Sequence, residues 1–147
     1  MDDLTYEQLL NENDIAISQL KTVYKLPEVS RYLSISDNYF CYVANTSNVY
    51  FYKVYNKGQL IGTIHLENHD NLLHMDILIF PEYQRKGFAT EVIKDIQNDF
   101  FKLNYNKIEI SIDEANSASI KLFENAGFVR TSRDDELINF VYQRKTN

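Results

Sequence analysis

The fold is decided by one stretch of the chain, Ile77-Leu78-Ile79-Phe80-Pro81-Glu82-Tyr83-Gln84-Arg85-Lys86-Gly87-Phe88-Ala89-Thr90. Its first four residues end an apolar run over 72–80 that is typical of a buried strand. Pro81 ends that strand because proline lacks the N–H needed for pairing. Beyond it, apolar residues recur every three or four positions and predict an amphipathic helix from about 88 to 103. Residues 107–112 then resemble another strand. A strand, a helix and a strand form a crossover, so the two strands should lie parallel.

The residues before this stretch predict an antiparallel meander. Residues 49–55 are rich in β-branched and aromatic side chains, and Asn56-Lys57-Gly58-Gln59 has the composition of a hairpin turn before a second strand at 60–66. A polar break at 67–71 separates this strand from the run at 72–80. The three strands should therefore pair in sequence order.

The two ends of the chain complete an α/β (α+β) class built on one largely antiparallel sheet. At the N-terminal end we expect a short strand over 4–10, a helix capped by Asn13 or Asp14 and running to about Lys25, and one or two short helices over 27–44. At the C-terminal end, Asn116 and Gly127 mark the start and stop of a second long helix, with strands at 128–130 and 137–142.

Length and composition limit the possible functions. The chain has 147 residues, 44% of them hydrophobic, which predicts a single domain over residues 1–147. A net charge of -6 argues against nonspecific nucleic-acid binding, which depends on cations placed against phosphates. The single cysteine, Cys41, excludes an internal disulfide and more often packs than reacts, and no Cys/His cluster has zinc-ligand spacing. Without a signal-peptide pattern or a long apolar run, we expect a cytoplasmic protein with no membrane contact.

The segment from Gln84 to Thr90 has the properties of an anion site. The first N–H groups of a helix have no acceptor within the helix and lie at the positive end of its dipole. Gly87 would let the backbone approach a pyrophosphate, and Arg85 and Lys86 add positive charge. Neither the Walker-type loop nor the three-glycine dinucleotide fingerprint is present. Taken alone, a basic pair before a glycine is commonplace, and the segment would more often be an ordinary solvated helix start.

Two motifs in the same order resemble the GCN5-related N-acetyltransferase (GNAT) superfamily. Residues 77–90 look like its strand, pyrophosphate loop and helix start, with Ala89 where glycine is commoner. Asn116-Ser117-Ala118-Ser119-Ile120-Lys121-Leu122-Phe123-Glu124-Asn125-Ala126-Gly127-Phe128 looks like its second motif. The resemblance covers roughly residues 49–144, and residues 27–48 correspond to the region of the family that faces the substrate.

The resemblance implies a sheet splayed between its fourth and fifth strands, with acetyl-CoA as cosubstrate and no metal. A bulge in the fourth strand would leave the backbone of Ile77, Leu78 and Ile79 able to bond the pantetheine amides and polarise the thioester carbonyl. The loop Gln84–Thr90 would hold the pyrophosphate and Asn116 would contact the pantetheine arm. Phe123 would either pack against pantetheine or belong to the core.

The expected reaction is direct attack of a primary amine on acetyl-CoA in a ternary complex. The amine must first lose a proton, and His74, Asp76 and Glu67 are the candidate bases, with a water relay as the alternative. The resemblance places Phe123 where the family often has a tyrosine that protonates the departing thiolate. It places Ser111 where some relatives that acetylate protein N-termini carry a carboxylate that acts as the base.

The acceptor stays open between a small molecule and a protein amine, and the protein is either a monomer or a homodimer. The alternatives are a protein N-acetyltransferase and a CoA-binding sensor without turnover.

Overall fold

The computed structural model describes residues 3–145, which form seven strands and five α-helices. The strands are β1 (Thr5–Gln8), β2 (Val49–Asn56), β3 (Gln59–His69), β4 (Leu72–Ile79), β5 (Lys107–Asp113), β6 (Val129–Asp134) and β7 (Leu137–Gln143). The helices are α1 (Ile17–Tyr24), α2 (Pro27–Ser30), α3 (Tyr39–Asn45), α4 (Phe88–Gln97) and α5 (Ser117–Asn125). A single 3₁₀ turn at Pro81–Tyr83 separates β4 from the approach to α4.

The strands form one mixed sheet in the order β1-β2-β3-β4-β5-β7-β6. The pairing of β4 with β5 is parallel and joins Leu72, Leu73 and His74 to Lys107, Ile108 and Glu109. The pairs β1 with β2, β5 with β7 and β6 with β7 are antiparallel. The predicted α/β class and the predicted parallel crossover through α4 are both confirmed.

Two compact units divide the chain. The first contains the residues up to His65 together with Ile77–Lys86, and the second contains Leu66–Asp76 and the chain from Gly87 onward. The strands β3 and β4 each contribute to both units. The expectation of a single domain stays a prediction.

Each unit has its own apolar core. In the first, α1, α2 and α3 place their apolar faces in one buried cluster that includes Leu20, Phe40, Phe51, Leu78 and Phe80. In the second, the fully buried side chains include Ile93 of α4, Ile108 of β5, Phe123 of α5 and Phe140 of β7.

The helix α1 begins later than predicted. Its N-cap is Ala16, and no side chain caps it within the described residues, whereas the sequence placed the cap at Asn13 or Asp14. The carboxylate of Asp14 makes two contacts: Oδ1 accepts from the N–H of Ala16 at 2.9 Å, just before the helix, and Oδ2 lies 2.6 Å from Nζ of Lys53 on β2. The Lys53 side chain is only 4% exposed. An ammonium buried to that degree needs a close anion, and Asp14 supplies it while also binding a backbone N–H in the turn that precedes α1.

Two element ends also differ from prediction. The helix α4 ends at Gln97 instead of near residue 103, because Asp99 and Lys102 adopt left-handed backbone (φ 64° and 58°), and Phe100 is 56% exposed. The strand β3 continues to His69, so the polar break shrinks to the turn at Asp70 and Asn71, both left-handed. Polar residues at 67–69 therefore lie in a strand that is half-exposed at this end.

The strand β6 is the last strand of the sheet, and all six of its residues are exposed. Its pairing with β7 shifts between Arg130 and Ser132, so Thr131 is an extra residue in the ladder. Such an insertion bends and twists an edge strand.

Candidate functional site

The start of α4 has the geometry of an anion site. Gly87 is the N-cap with φ 86° and ψ 5°, a left-handed conformation that favours glycine, and Arg85 is also left-handed with φ 65°. Among residues 3–145, no side chain caps this helix. The carbonyl of Gly87 accepts the first helical hydrogen bond from the N–H of Glu91 at 3.2 Å. The N–H groups of Phe88, Ala89 and Thr90 therefore form the uncapped positive end of α4.

The loop before Gly87 is tied to β4 by Gln84. Its side-chain Nε2 donates to the carbonyl of Ile79 at 2.8 Å, and its backbone N–H donates to the carbonyl of Pro81. The ammonium of Lys86 lies 5.9 Å from the centre of the Tyr83 ring. Gln84 was predicted to hold the cofactor, and in this structure its side chain holds the end of β4 against the loop.

The predicted oxyanion strand is buried at the side-chain level. Leu78 and Ile79 are 9% and 7% exposed, and Ile77 is half-buried. These side chains pack in the protein interior, which leaves backbone groups as their means of contacting a ligand.

Four titratable side chains meet in the second unit, and we refer to Glu67, His69, His74 and Glu109 as the histidine–glutamate group. His69 Nε2 lies 3.1 Å from a carboxylate oxygen of Glu67, and His74 Nδ1 lies 3.7 Å from a carboxylate oxygen of Glu109. The two imidazole rings are 5.6 Å apart. The structure thus brings the predicted bases His74 and Glu67 together through His69.

Glu109 was missed by the sequence analysis, although a signal for it exists. Ile108, Ile110 and Ile112 are buried, so Glu109 must face the other side of β5. The parallel register then places it beside His74. Asp76 is exposed on β4 and shares the side of His74, because the intervening Met75 is buried.

The second motif places Asn116 and Phe123 on α5. Asn116 caps the helix, as predicted, with its side-chain oxygen accepting from the N–H of Ser119 at 3.3 Å. A contact with pantetheine would therefore come from its side-chain NH₂ group. Phe123 is 2% exposed and meets Phe128 edge to face with ring centres 5.2 Å apart. This is the arrangement expected of a core aromatic.

A second histidine contact, in the first unit, was also missed. The hydroxyl of Tyr39 and Nδ1 of His65 share a hydrogen bond of 2.5 Å, and the Tyr24 hydroxyl bonds that of Thr63 at 2.9 Å. Tyr39 comes from the region expected to face the substrate. Its partner is 26 residues away, and the sequence contains no local pattern that predicts the pairing.

Cys41 has no property of an activated nucleophile. It is exposed, and a hydrogen bond with Glu12 raises the pKa of its thiol. A raised pKa lowers the fraction of reactive thiolate.

Residues 3–145 lack two further kinds of feature. They contain no group of three or more His, Cys, Asp or Glu side chains arranged to hold a metal ion. Within the same residues, no helix is long and apolar enough to cross a membrane.

Comparison with known families decides the classification. The family model described as an acetyltransferase (GNAT) domain matches residues 2–129. The chain belongs to the GNAT acetyltransferase family. The resemblance of residues 77–90 and 116–128 is thereby confirmed at the level of the family.

Sequence relatives of this GNAT chain include a spermidine N(1)-acetyltransferase of Vibrio cholerae, 34% identical over 91 residues that cover 57% of this chain and 52% of the relative. An uncharacterized N-acetyltransferase derived from the SPbeta prophage of Bacillus subtilis is 29% identical over 80 residues, covering 54% of this chain and 45% of the relative. The chain spans about half the length of the curated relatives it matches.

Solved structures share the GNAT fold over nearly the whole chain. A domain from Methanocaldococcus jannaschii superposes with a TM-score of 0.81 at 16% identity, covering 96% of this chain and 98% of that one. Spermidine N-acetyltransferase from Vibrio cholerae, solved with CoA and spermine, has a TM-score of 0.79 at 18% identity, covering 96% and 95%. At these identities the likeness concerns the fold.

Proposed function

We propose that the protein is an N-acetyltransferase that transfers the acetyl group of acetyl-CoA to a primary amine in a ternary complex. The observation that carries the proposal is the uncapped first turn of α4, entered through left-handed Gly87 and preceded by Arg85 and Lys86, in a chain of the GNAT family. Three N–H groups and two cations supply what a pyrophosphate needs.

The proposed roles divide along the sequence. Gln84 to Thr90 bind the pyrophosphate, and the backbone of Ile77, Leu78 and Ile79 bonds the pantetheine arm and the thioester. The NH₂ group of Asn116 donates to a pantetheine carbonyl. The side chain of Phe123 supports α5 from the core.

Transfer begins when the neutral amine attacks the thioester carbon. A C–N bond forms, the carbonyl oxygen becomes an oxyanion, and the C–S bond then breaks to release CoA as a thiolate. With Phe123 in place of a tyrosine, a thiol of pKa about 8.5 leaves without an acid from that position. We propose that His74, held by Glu109, removes one proton from the ammonium form of the acceptor before attack, and that the nitrogen releases its second proton to solvent as the amide forms.

We further propose a polyamine as the acceptor. The similarity to a spermidine N(1)-acetyltransferase supports this class. So does the histidine–glutamate group, because its carboxylates can accept hydrogen bonds from the additional ammonium groups of a polyamine. The net charge of -6 attracts such cations at long range.

The test is calorimetric titration with acetyl-CoA and CoA, followed by a thiol-release assay on spermidine, spermine, kanamycin and a peptide with a free N-terminus. Binding with release on the two polyamines alone is the expected result. Thiol release with the peptide alone would indicate that the acceptor is a protein amine and would refute the polyamine assignment. Binding without release on any amine would favour a CoA sensor, and absence of binding would refute the proposal.

A further inference from the structure

Gly62, in the middle of β3, occupies a position where no other residue fits. A Cβ atom built on it would lie 2.3 Å from the carbonyl oxygen of Leu78, 3.0 Å from Ile79 Cδ1 and 3.2 Å from Ile79 Cα. Real Cβ atoms essentially never approach another heavy atom within 3.0 Å. Gly62 does not have a positive φ angle. Glycine is therefore required here because a side chain would collide with β4, and the backbone conformation itself would suit any residue.

The close contact shows that the Leu78 carbonyl leaves the plane of the sheet. In a regular strand, Cβ atoms project from the faces of the sheet while carbonyl groups lie along its hydrogen-bonding direction. A carbonyl oxygen at the Cβ position of Gly62 has therefore moved onto the face that the side chain would occupy. The contact places the irregularity of β4 at the peptide between Leu78 and Ile79.

The orientation of this peptide fixes the direction of the Ile79 N–H group. The N–H of a trans peptide points opposite to the preceding carbonyl, so the Ile79 N–H points away from Gly62 and from β3. The neighbouring contact is consistent with this direction, since the N–H that donates to β3 is the next one, from Phe80 to the Ile61 carbonyl at 2.8 Å. Gln84 Nε2 donates to the Ile79 carbonyl at 2.8 Å and so restrains the peptide that follows Ile79.

We infer that Gly62 is a positioning residue for acetyl transfer. Its missing side chain lets the Leu78–Ile79 peptide leave the sheet plane, and the Ile79 N–H then donates to the thioester carbonyl oxygen of acetyl-CoA. This rests on the proposed function. A fixed donor stabilises the negative charge that develops on that oxygen during attack, and it binds the uncharged thioester much less strongly.

The substitution Gly62→Ala tests the inference. The added Cβ must move the Leu78 carbonyl by at least about 0.7 Å to relieve a contact of 2.3 Å. A misplacement near 1 Å costs about 10²-fold in rate. We expect kcat to fall about 100-fold. The affinity for CoA, measured by calorimetry, should fall by about threefold at most, because CoA has no thioester carbonyl and keeps the pyrophosphate loop and the other proposed pantetheine contacts.

Ile64→Val is the matched control. Ile64 is fully buried on the same strand, two residues from Gly62 and on the same face, and its truncation disturbs packing without approaching Leu78. The control should retain kcat at a temperature where both variants are folded. Equal loss of kcat in the two variants would mean that Gly62 acts only through stability, and would overturn the inference.

A measurement on the unaltered protein is independent of the folding of the variant. In a ¹⁵N-isoleucine sample, the Ile79 amide resonance should shift more with acetyl-CoA than with CoA. Equal shifts would overturn the inference even if turnover is normal. A protein that binds and turns over acetyl-CoA while Gly62→Ala keeps its kcat would also refute the role of Gly62 and leave the proposed function intact. Absence of binding in the unaltered protein would refute both.

Discussion

A carboxylate at position 87 should expel CoA from the protein. Gly87 has φ 86°, and any L residue there pays about 1–2 kcal/mol of backbone strain. Gly87→Glu adds a charge to that strain. At about 5 Å from one phosphate charge, with an effective dielectric constant of ~20, the repulsion amounts to about 3 kcal/mol. This corresponds to a roughly 100-fold loss of affinity for CoA.

Gly87→Gln separates the charge from the strain and the bulk. Glutamine has the shape of glutamate without its charge, so the two variants should unfold at similar temperatures and differ about 100-fold in the dissociation constant of CoA. The difference should shrink as salt rises, because ions screen the repulsion. Calorimetry with CoA, and with pantetheine, which lacks the pyrophosphate, gives the comparison. If the Glu and Gln variants bind CoA equally, the pyrophosphate does not lie at the start of α4.

Substitutions at four further positions test the other contacts. Asp14→Asn should cost about 2 kcal/mol in urea unfolding at pH 7, because a hydrogen bond between charged groups is lost beside the buried Lys53. Burial, the largest single influence, raises the pKa of Asp14, but the hydrogen bond from Lys53, the hydrogen bond from the N–H of Ala16 and the charge of Lys53 together outweigh it, so the net pKa is lowered. Its contribution is therefore complete above about pH 4 and lost as pH falls through the lowered pKa, so variant and parent should converge in strong acid. Asn116→Ala should cost about 1 kcal/mol, or about 2–4 °C in Tm, and Asn116→Asp should restore the cap. His74→Ala should lower kcat about 100-fold and remove the limb of the pH–rate profile that rises with pH. Glu109→Gln should lower kcat less, and neither substitution should alter the affinity for CoA. A pH–rate profile that is unchanged in both variants would assign proton removal to water.

The local signals in the sequence predicted most of the fold. The turn at Lys57 and Gly58 and the start of α4 depend on backbone preferences of one or two residues, and the structure has both where they were expected. The cap of α5 at Asn116 is of the same kind. These features are decided within four or five residues of the chain, so a single sequence is enough to predict them.

The features that were wrong or missed depend on distant partners. The pairing of Asp14 with Lys53 was missed because nothing near Asp14 reveals a partner 39 residues away. Glu109 becomes a partner of His74 only once the parallel register is known. The pair of Tyr39 and His65 likewise depends on how α3 packs. Tertiary contacts therefore decided which side chains surround His74, whereas the start of α4, where we propose the anion site, was predicted from the sequence alone.

The irregular outer strand β6 has a consequence for solubility. An edge strand offers unpaired N–H and C=O groups that can recruit a strand of another molecule. Here the extra residue Thr131 interrupts the ladder. If β6 paired with β6 of a second copy, the exposed charged residues Arg130, Arg133 and Asp134 of the two copies would come close together. Both features discourage growth into a continuous intermolecular sheet. We therefore expect this edge to resist intermolecular pairing. Deleting Thr131 together with replacing the three charges by valine should make it aggregation-prone, which light scattering of the variant and the parent would measure.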